Sequence, residues 1–183
     1  NRFLTLKAWY ESSMDSKERF IKFQFNFVER IVYKFLSKNA NSLTIKIDEK
    51  EATGLFPEES KILLSKPALE VYDIREILLE KVRAILTRRF TKERDFVDVF
   101  LITKKLNKNI RMFKEGIILK TEFMLKYEKY RQNLKNKAKL KEWIKPGEEK
   151  YLLLKPLNGF EEFLIETKPF LNELVKEILE KQE

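Results

Sequence analysis

The chain has 183 residues, enough for one domain or two small ones. It contains no cysteine and no histidine, which excludes a disulfide framework, a thiolate metal site, an imidazole base and a Ser-His-Asp triad. Lys and Arg number 38 against 29 Asp and Glu, a net charge of +9, so any catalysis rests on carboxylates, Lys, Arg, Tyr, Ser or Thr. The four glycines, Gly54, Gly116, Gly147 and Gly159, lie too far apart for a dinucleotide fingerprint or a P-loop. No apolar run approaches the ~20 residues that span a bilayer, and no signal-peptide pattern opens the chain. A soluble, cytoplasmic protein is expected. The start at Asn1 rather than Met suggests a removed N-terminus.

The first third reads as β. Leu4, Leu6, Ala8 and Tyr10 alternate with polar or mixed positions. The clearest strand is Ile21 to Phe27: Ile21, Phe23, Phe25 and Phe27 face one side, Lys22, Gln24 and Asn26 the other. Leu43 to Ile47 is a third candidate strand. Pro57 with Glu58 and Glu59 opens a short helix. After Pro67 the pattern changes. Leu69 to Tyr72 is a short extended piece, and Asp73 then caps a helix to about Arg89, with Glu76 completing a capping-box-like pair. A second helix is expected from about Arg94 to Leu106, and a longer one from about Ile110 to Asn136. Pro146-Gly147 and Asn158-Gly159 are breaks. The last helix is expected to start near Pro169, with Leu171, Leu174, Val175, Ile178 and Leu179 as its apolar stripe. The fold class is therefore α+β, a sheet region over residues 1–72 followed by a helical region over 73–183.

Two segments stand out for their chemistry. At 100° per residue, Lys81 falls in the same arc as Ile74, Ile77, Leu78 and Ile85, and Arg88 falls beside it. Two cations thus lie within an apolar face. Either their stems pack while the heads reach water, or the pair is presented to an anion such as a phosphate. In the next helix Asp95 and Asp98 sit one turn apart on a segment that is apolar almost all round. Buried carboxylates need partners. Asp95 as N-cap with Asp98 at the third position would satisfy them, as would an internal salt bridge to Lys81 or Arg83.

Together, these segments resemble the AbiEii/AbiGii-type nucleotidyltransferase toxins. That family carries a Lys and an Arg at the spacing of Lys81 and Arg88, with an acidic residue such as Glu80 before them. An Arg-Asp-x-x-Asp helix follows, here Arg94, Asp95 and Asp98. The resemblance covers about Phe20 to Leu106 and departs in two places. The family's Gly-Ser followed by Asp-x-Asp, its main divalent-metal site, does not occur in these 183 residues. Gln24 stands where the second motif ends a strand in Asp. Together these departures suggest a fragment. The resemblance implies a partial nucleotidyltransferase-like mixed sheet and transfer of a nucleotidyl group from an NTP, with Mg²⁺, to an RNA 3′ end, since known members modify tRNA acceptor ends. It assigns Lys81, Arg88 and, more weakly, Arg83 to the triphosphate, and Asp95 and Asp98 to catalysis. The metal ligands are not identified, and the fragment is expected to be inactive alone. A cognate antitoxin and a role in phage defence by abortive infection are also implied.

From Lys126 to Lys145 there are eight basic residues and two acids, whereas Pro146 to Glu183 holds nine acids and five lysines. Tyr127, Tyr130 and Trp143 interleave with the basic run. Cations between aromatic rings suit RNA, whose phosphates and unstacked bases they match. The same pattern also fits a solvated helix face with rings packed inward. The alternative to an enzyme is a non-catalytic basic helical module that binds RNA or protein.

Overall fold

A computed structural model describes residues 3–40, 48–139, 143 and 157–182. The chain forms two compact units, one of Asn1–Val32 with Leu78–Glu183, the other of Tyr33–Ile77. Small antiparallel sheets come first and a mainly helical region follows, as the alternation and the later 3.6-residue period predict.

The first unit opens with an antiparallel hairpin of β1 (Phe3–Glu11) and β2 (Glu18–Asn26). Register pairs Leu4 with Phe25, Leu6 with Phe23 and Ala8 with Ile21, so the apolar side is continuous across both strands. The connection is closed by the Ser12 N–H donating to the Lys17 carbonyl, with Ser16 in the left-handed region at φ 51°. Every residue of β2 is exposed, the phenylalanines included.

The second unit pairs β3 (Leu36–Asn39) with β4 (Ala68–Val71) and carries two short helices, α1 (Glu49–Leu55) and α2 (Pro57–Leu64). Asp48 caps α1 by accepting from the N–H groups of Lys50 and Glu51. Pro57 occupies the first turn of α2, where no N–H is missed. The candidate strand Leu43–Ile47 lies outside the described residues. Asp73 accepts the Arg75 N–H at the start of α3 (Ile74–Thr87), and Glu76 accepts the N–H of Tyr33 at 2.9 Å.

The core belongs to the helices of the first unit. α3 buries Leu78, Leu79, Val82, Ile85 and Leu86; α4 (Glu93–Leu106) buries Phe96, Val97, Val99 and Phe100. The continuous helix expected from Ile110 to Asn136 is in fact three pieces: a 3₁₀ turn (Ile110–Phe113), α5 (Lys114–Leu125) and α6 (Glu128–Lys137). The break falls at Tyr127, whose backbone is extended. It separates a segment apolar on most sides from a strongly polar one. α5 crosses α3 at Gly116, where an added Cβ would sit 2.9 Å from Leu79 Cδ1. The last helix, α7 (Phe160–Glu180), begins nine residues earlier than expected and carries Pro169 inside it. Burial of Phe160, Leu164, Phe170, Leu171, Leu174, Val175 and Ile178 outweighs the one lost backbone bond, which costs ~3 kcal/mol.

Candidate functional site

α3 and α4 bring the four singled-out charges together. Lys92, not Asp95, is the N-cap of α4, so Asp95 stands at the third helical position and Asp98 one turn further on. Asp95 is buried, 1% exposed. In the first turn its negative charge is favoured by the helix dipole. Its Oδ2 accepts from Arg88 Nη1, and its Oδ1 lies 3.5 Å from Lys81 Nζ without a hydrogen bond. Lys81 Nζ also meets Asp98 Oδ2 at 2.5 Å. Asp95 therefore forms the floor, while the side chains of Lys81, Asp98 and Arg88 remain 30–40% exposed at the rim.

These contacts choose among the sequence alternatives. The Lys81 head neither extends to water alone nor awaits an anion unpaired; it bridges two carboxylates. Neutralising a buried Asp with two cations offsets a desolvation cost of several kcal/mol. Donors nevertheless remain. An ammonium has three N–H groups and a guanidinium five, more than Asp95 and Asp98 take up. The rim can therefore still meet a phosphate from solvent.

Arg83 is turned differently. Its Nε donates to Glu80 Oε2 at 3.3 Å and its Nη1 to Thr87 Oγ1 at 3.3 Å. Burial pulls its pKa below the ordinary arginine value, while the nearby Tyr130 and Glu29 charges raise it. Glu80 also lies 3.7 Å from Lys120, which is 1% exposed and donates to Glu29 Oε1 at 2.6 Å and to the Arg30 carbonyl at 3.1 Å. Sequence reasoning did not single out Glu29 or Lys120. The signal that found Lys81, a cation in an apolar helical run, was present again in Ile117-Ile118-Leu119-Lys120.

Lys81, Arg88, Asp95 and Asp98 thus come together, within the first unit. Among the described residues no group of three or more acids is placed to hold a metal ion. Asp95 and Asp98 are both engaged by Lys81, so on their own they do not fit a divalent cation.

The model of the nucleotidyl transferase AbiEii toxin family, of type IV toxin–antitoxin systems, matches residues 2–182. The chain belongs to this family. It is a nucleotidyltransferase toxin by family, which implies an NTP substrate and an antitoxin as its counterpart. No curated protein and no solved structure matches the chain. The match extends well beyond the Phe20–Leu106 stretch that carried the resemblance, and takes in both the hairpin and α7. No described helix is long and apolar enough to cross a membrane.

The basic run Lys126–Lys145 divides between surface and core. Lys129, Lys135 and Lys139 are exposed. Lys126 Nζ lies 3.7 Å from the centre of the Phe123 ring. Lys137 is buried and donates to Thr91 Oγ1. Trp143 is buried, with Nε1 donating to Asn172 Oδ1 at 2.9 Å, and Tyr127 and Tyr130 pack edge to face. Among the described residues of this run Trp143 packs inward, Tyr127 and Tyr130 are half-buried, and the exposed lysines remain as the cationic surface.

Proposed function

We propose that the chain supplies residues for transfer of a nucleotidyl group from an NTP to the 3′ end of an RNA, of which tRNA is the leading candidate, in the cytoplasm, and that these 183 residues do not complete the reaction alone. Lys81 holds the triphosphate, a compact cation suited to developing phosphate charge, with Arg88 in support and Arg83 in a lesser role. Asp95 takes the proton of the attacking 3′ hydroxyl, whose oxygen bonds to the α-phosphorus while the bond to pyrophosphate breaks. Asp98 positions Lys81. Mg²⁺ accompanies the triphosphate as a screen for its charge. The described residues do not themselves make a site for it, so no step is assigned to the ion. The cationic lysines between Lys126 and Lys145 hold the RNA backbone.

The observation that supports this most is Lys81 reaching Asp95 and Asp98 at once, with Arg88 on the other Asp95 oxygen. Asp95 Oδ1 is buried and has no hydrogen bond among the described residues, which leaves an acceptor position open on the floor of the cluster. The lack of an Asp-x-Asp pair in these 183 residues favours a second reading, a binding module without catalysis.

Two measurements test these assignments. Equilibrium binding of a fluorescent NTP to the 183-residue chain is expected, and Lys81→Ala weakens it by about tenfold, the loss of one charge-assisted contact. Incubation with labelled NTPs, Mg²⁺ and total tRNA is expected to give no incorporation by these 183 residues, because clustered carboxylates are wanting. NTP binding indifferent to Lys81 overturns the triphosphate assignment. Robust incorporation would move the catalytic carboxylates away from Asp95 and Asp98.

A further inference from the structure

The first unit contains a second cleft, of about 860 Å³, between the end of α4, the 3₁₀ turn and the first half of α7. It is separate from the Lys81–Asp95 cluster. Lys104 lies half a turn round α4 from Asp95 and, at 1.5 Å per residue, about 14 Å further along the axis. The volume is in the range of small-molecule sites. Three cations line it, Lys104, Lys108 and Arg111, against one acid, Glu166. Arg111 is held by Glu173 at 2.7 and 3.2 Å, which leaves Lys104 and Lys108 as the cations without an ion pair.

Three further features point to a ligand. Thr167, 1% exposed, lines the cleft, and its buried hydroxyl has no hydrogen-bond partner. An orphaned buried hydroxyl costs on the order of 1–3 kcal/mol, and a bound polar group would remove that cost. The last turn of α4 is capped, which satisfies two of its terminal carbonyls. Asn107, left-handed at φ 50°, and Lys108 donate their N–H groups to the carbonyls of Lys104 and Thr103. One wall is aromatic, with Phe163 half-buried and 5.3 Å from Phe100. Cations at the rim, an aromatic wall and the unpartnered Thr167 hydroxyl match an anion carried on a flat ring.

We propose that this cleft binds a nucleoside phosphate, free or as the end of an RNA strand, at a site independent of Lys81. The phosphate meets Lys104 and Lys108, the base lies against Phe163, and the Thr167 hydroxyl bonds the ligand. This inference does not rest on the roles given to Lys81 and Asp95. The test uses the full chain carrying Lys81→Gln, which removes the main cation assigned to phosphate in the α3–α4 cluster, with fluorescently labelled AMP as probe. Binding is expected to persist in that background, and Lys104→Ala with Lys108→Ala is expected to weaken it about tenfold or more. Both lysines are exposed and make no ion pair among the described residues, and Lys104 Nζ lies 5.5 Å from the centre of the Phe100 ring, so folding is expected to be retained, which circular dichroism checks. Thr167→Val keeps the shape and removes the hydroxyl; a loss of about threefold in affinity without a fall in Tm is expected. Competition identifies the source: displacement by unlabelled AMP but not by a short RNA with a terminal monophosphate means a free nucleotide, and tighter displacement by the RNA means a strand end. No binding in the Lys81→Gln background, binding indifferent to the two lysines, or displacement by inorganic phosphate as effective as by AMP would overturn the proposal.

Discussion

The β1–β2 hairpin and helix α7 carry equally regular apolar patterns, yet only α7 covers its apolar side. Leu171, Leu174, Val175 and Ile178 are at most 2% exposed, whereas Phe23, Phe25 and Ile21 keep roughly half their surface, 44–52%. The difference is in the neighbours. α7 packs against α4, α5 and α6, and every buried apolar residue among those described lies at or after Leu78. The hairpin is a two-stranded sheet held by its own backbone bonds, an arrangement of marginal stability in water. Periodicity therefore states which side of an element seeks cover, and packing decides whether it finds any.

Substitutions on the two elements sharpen that contrast most. Leu171→Ala is expected to cost about 2–5 kcal/mol in urea unfolding, and Phe23→Ala less than about 1 kcal/mol, because little burial is lost. Equal losses would mean that the hairpin's face is covered in solution. Next in size is the ion-paired cluster. Changing Lys81 and Arg88 together to Ala leaves Asp95 buried without a cation and is expected to destabilise by about 2–4 kcal/mol at neutral pH. A loss that Asp95→Asn in the same background does not reduce would show that the cations act by packing alone. Gly116→Ala comes third. The new methyl meets Leu79 Cδ1 at 2.9 Å, inside a filled core, and is expected to cost about 1–3 kcal/mol by the same measurement. No change there would show that α3 and α5 can move apart freely.

The smallest effect is that of Lys137. Burial lowers its pKa from 10.5 to about 8, so in the pH window between those values the unfolded chain holds a proton that the folded chain has released. Stability from this group therefore rises as pH goes from about 8 to 10.5, and below about 8 its cost is present in full. Lys137→Met is expected to stabilise by about 1–2 kcal/mol at pH 7, the bond to Thr91 and the Trp143 ring offsetting part of the desolvation. The gain should fade through that window. A pH-independent difference between variant and parent would place the ammonium in contact with water.

Local signals were the legible ones. Alternation located β1 and β2, Pro57 located α2, and the change of period after Pro67 located the helical region. Lys81, Arg88, Asp95 and Asp98 were found because charge in an apolar arc contradicts its surroundings. What the sequence left hidden is set at long range. Pro169 reads as a helix start when judged by its own ring, and only the packing of Phe160 and Leu164 upstream carries α7 through it. The break at Tyr127 has no Gly or Pro to announce it. Lys120 was passed over because its partner Glu29 lies 91 residues away in the chain. A salt bridge from one aspartate to Lys81 or Arg83 was one of several open alternatives, and only with two helices side by side does Lys81 meet both aspartates.

The placement of the two tryptophans has an optical consequence. Trp9 is on the hairpin and 55% exposed; Trp143 is 4% exposed, bonded to Asn172, with Lys137 Nζ 5.6 Å from its ring. The chain holds no other indole. Its emission is therefore a sum of two separable colours, a red component from a wet ring and a blue one from a dry ring. Quenchers added to solution extinguish the first and spare the second. Unfolding of the helical core shifts the blue component alone. The blue component also carries a built-in electrometer, since a nearby ammonium alters indole fluorescence and the Lys137 proton leaves near pH 8.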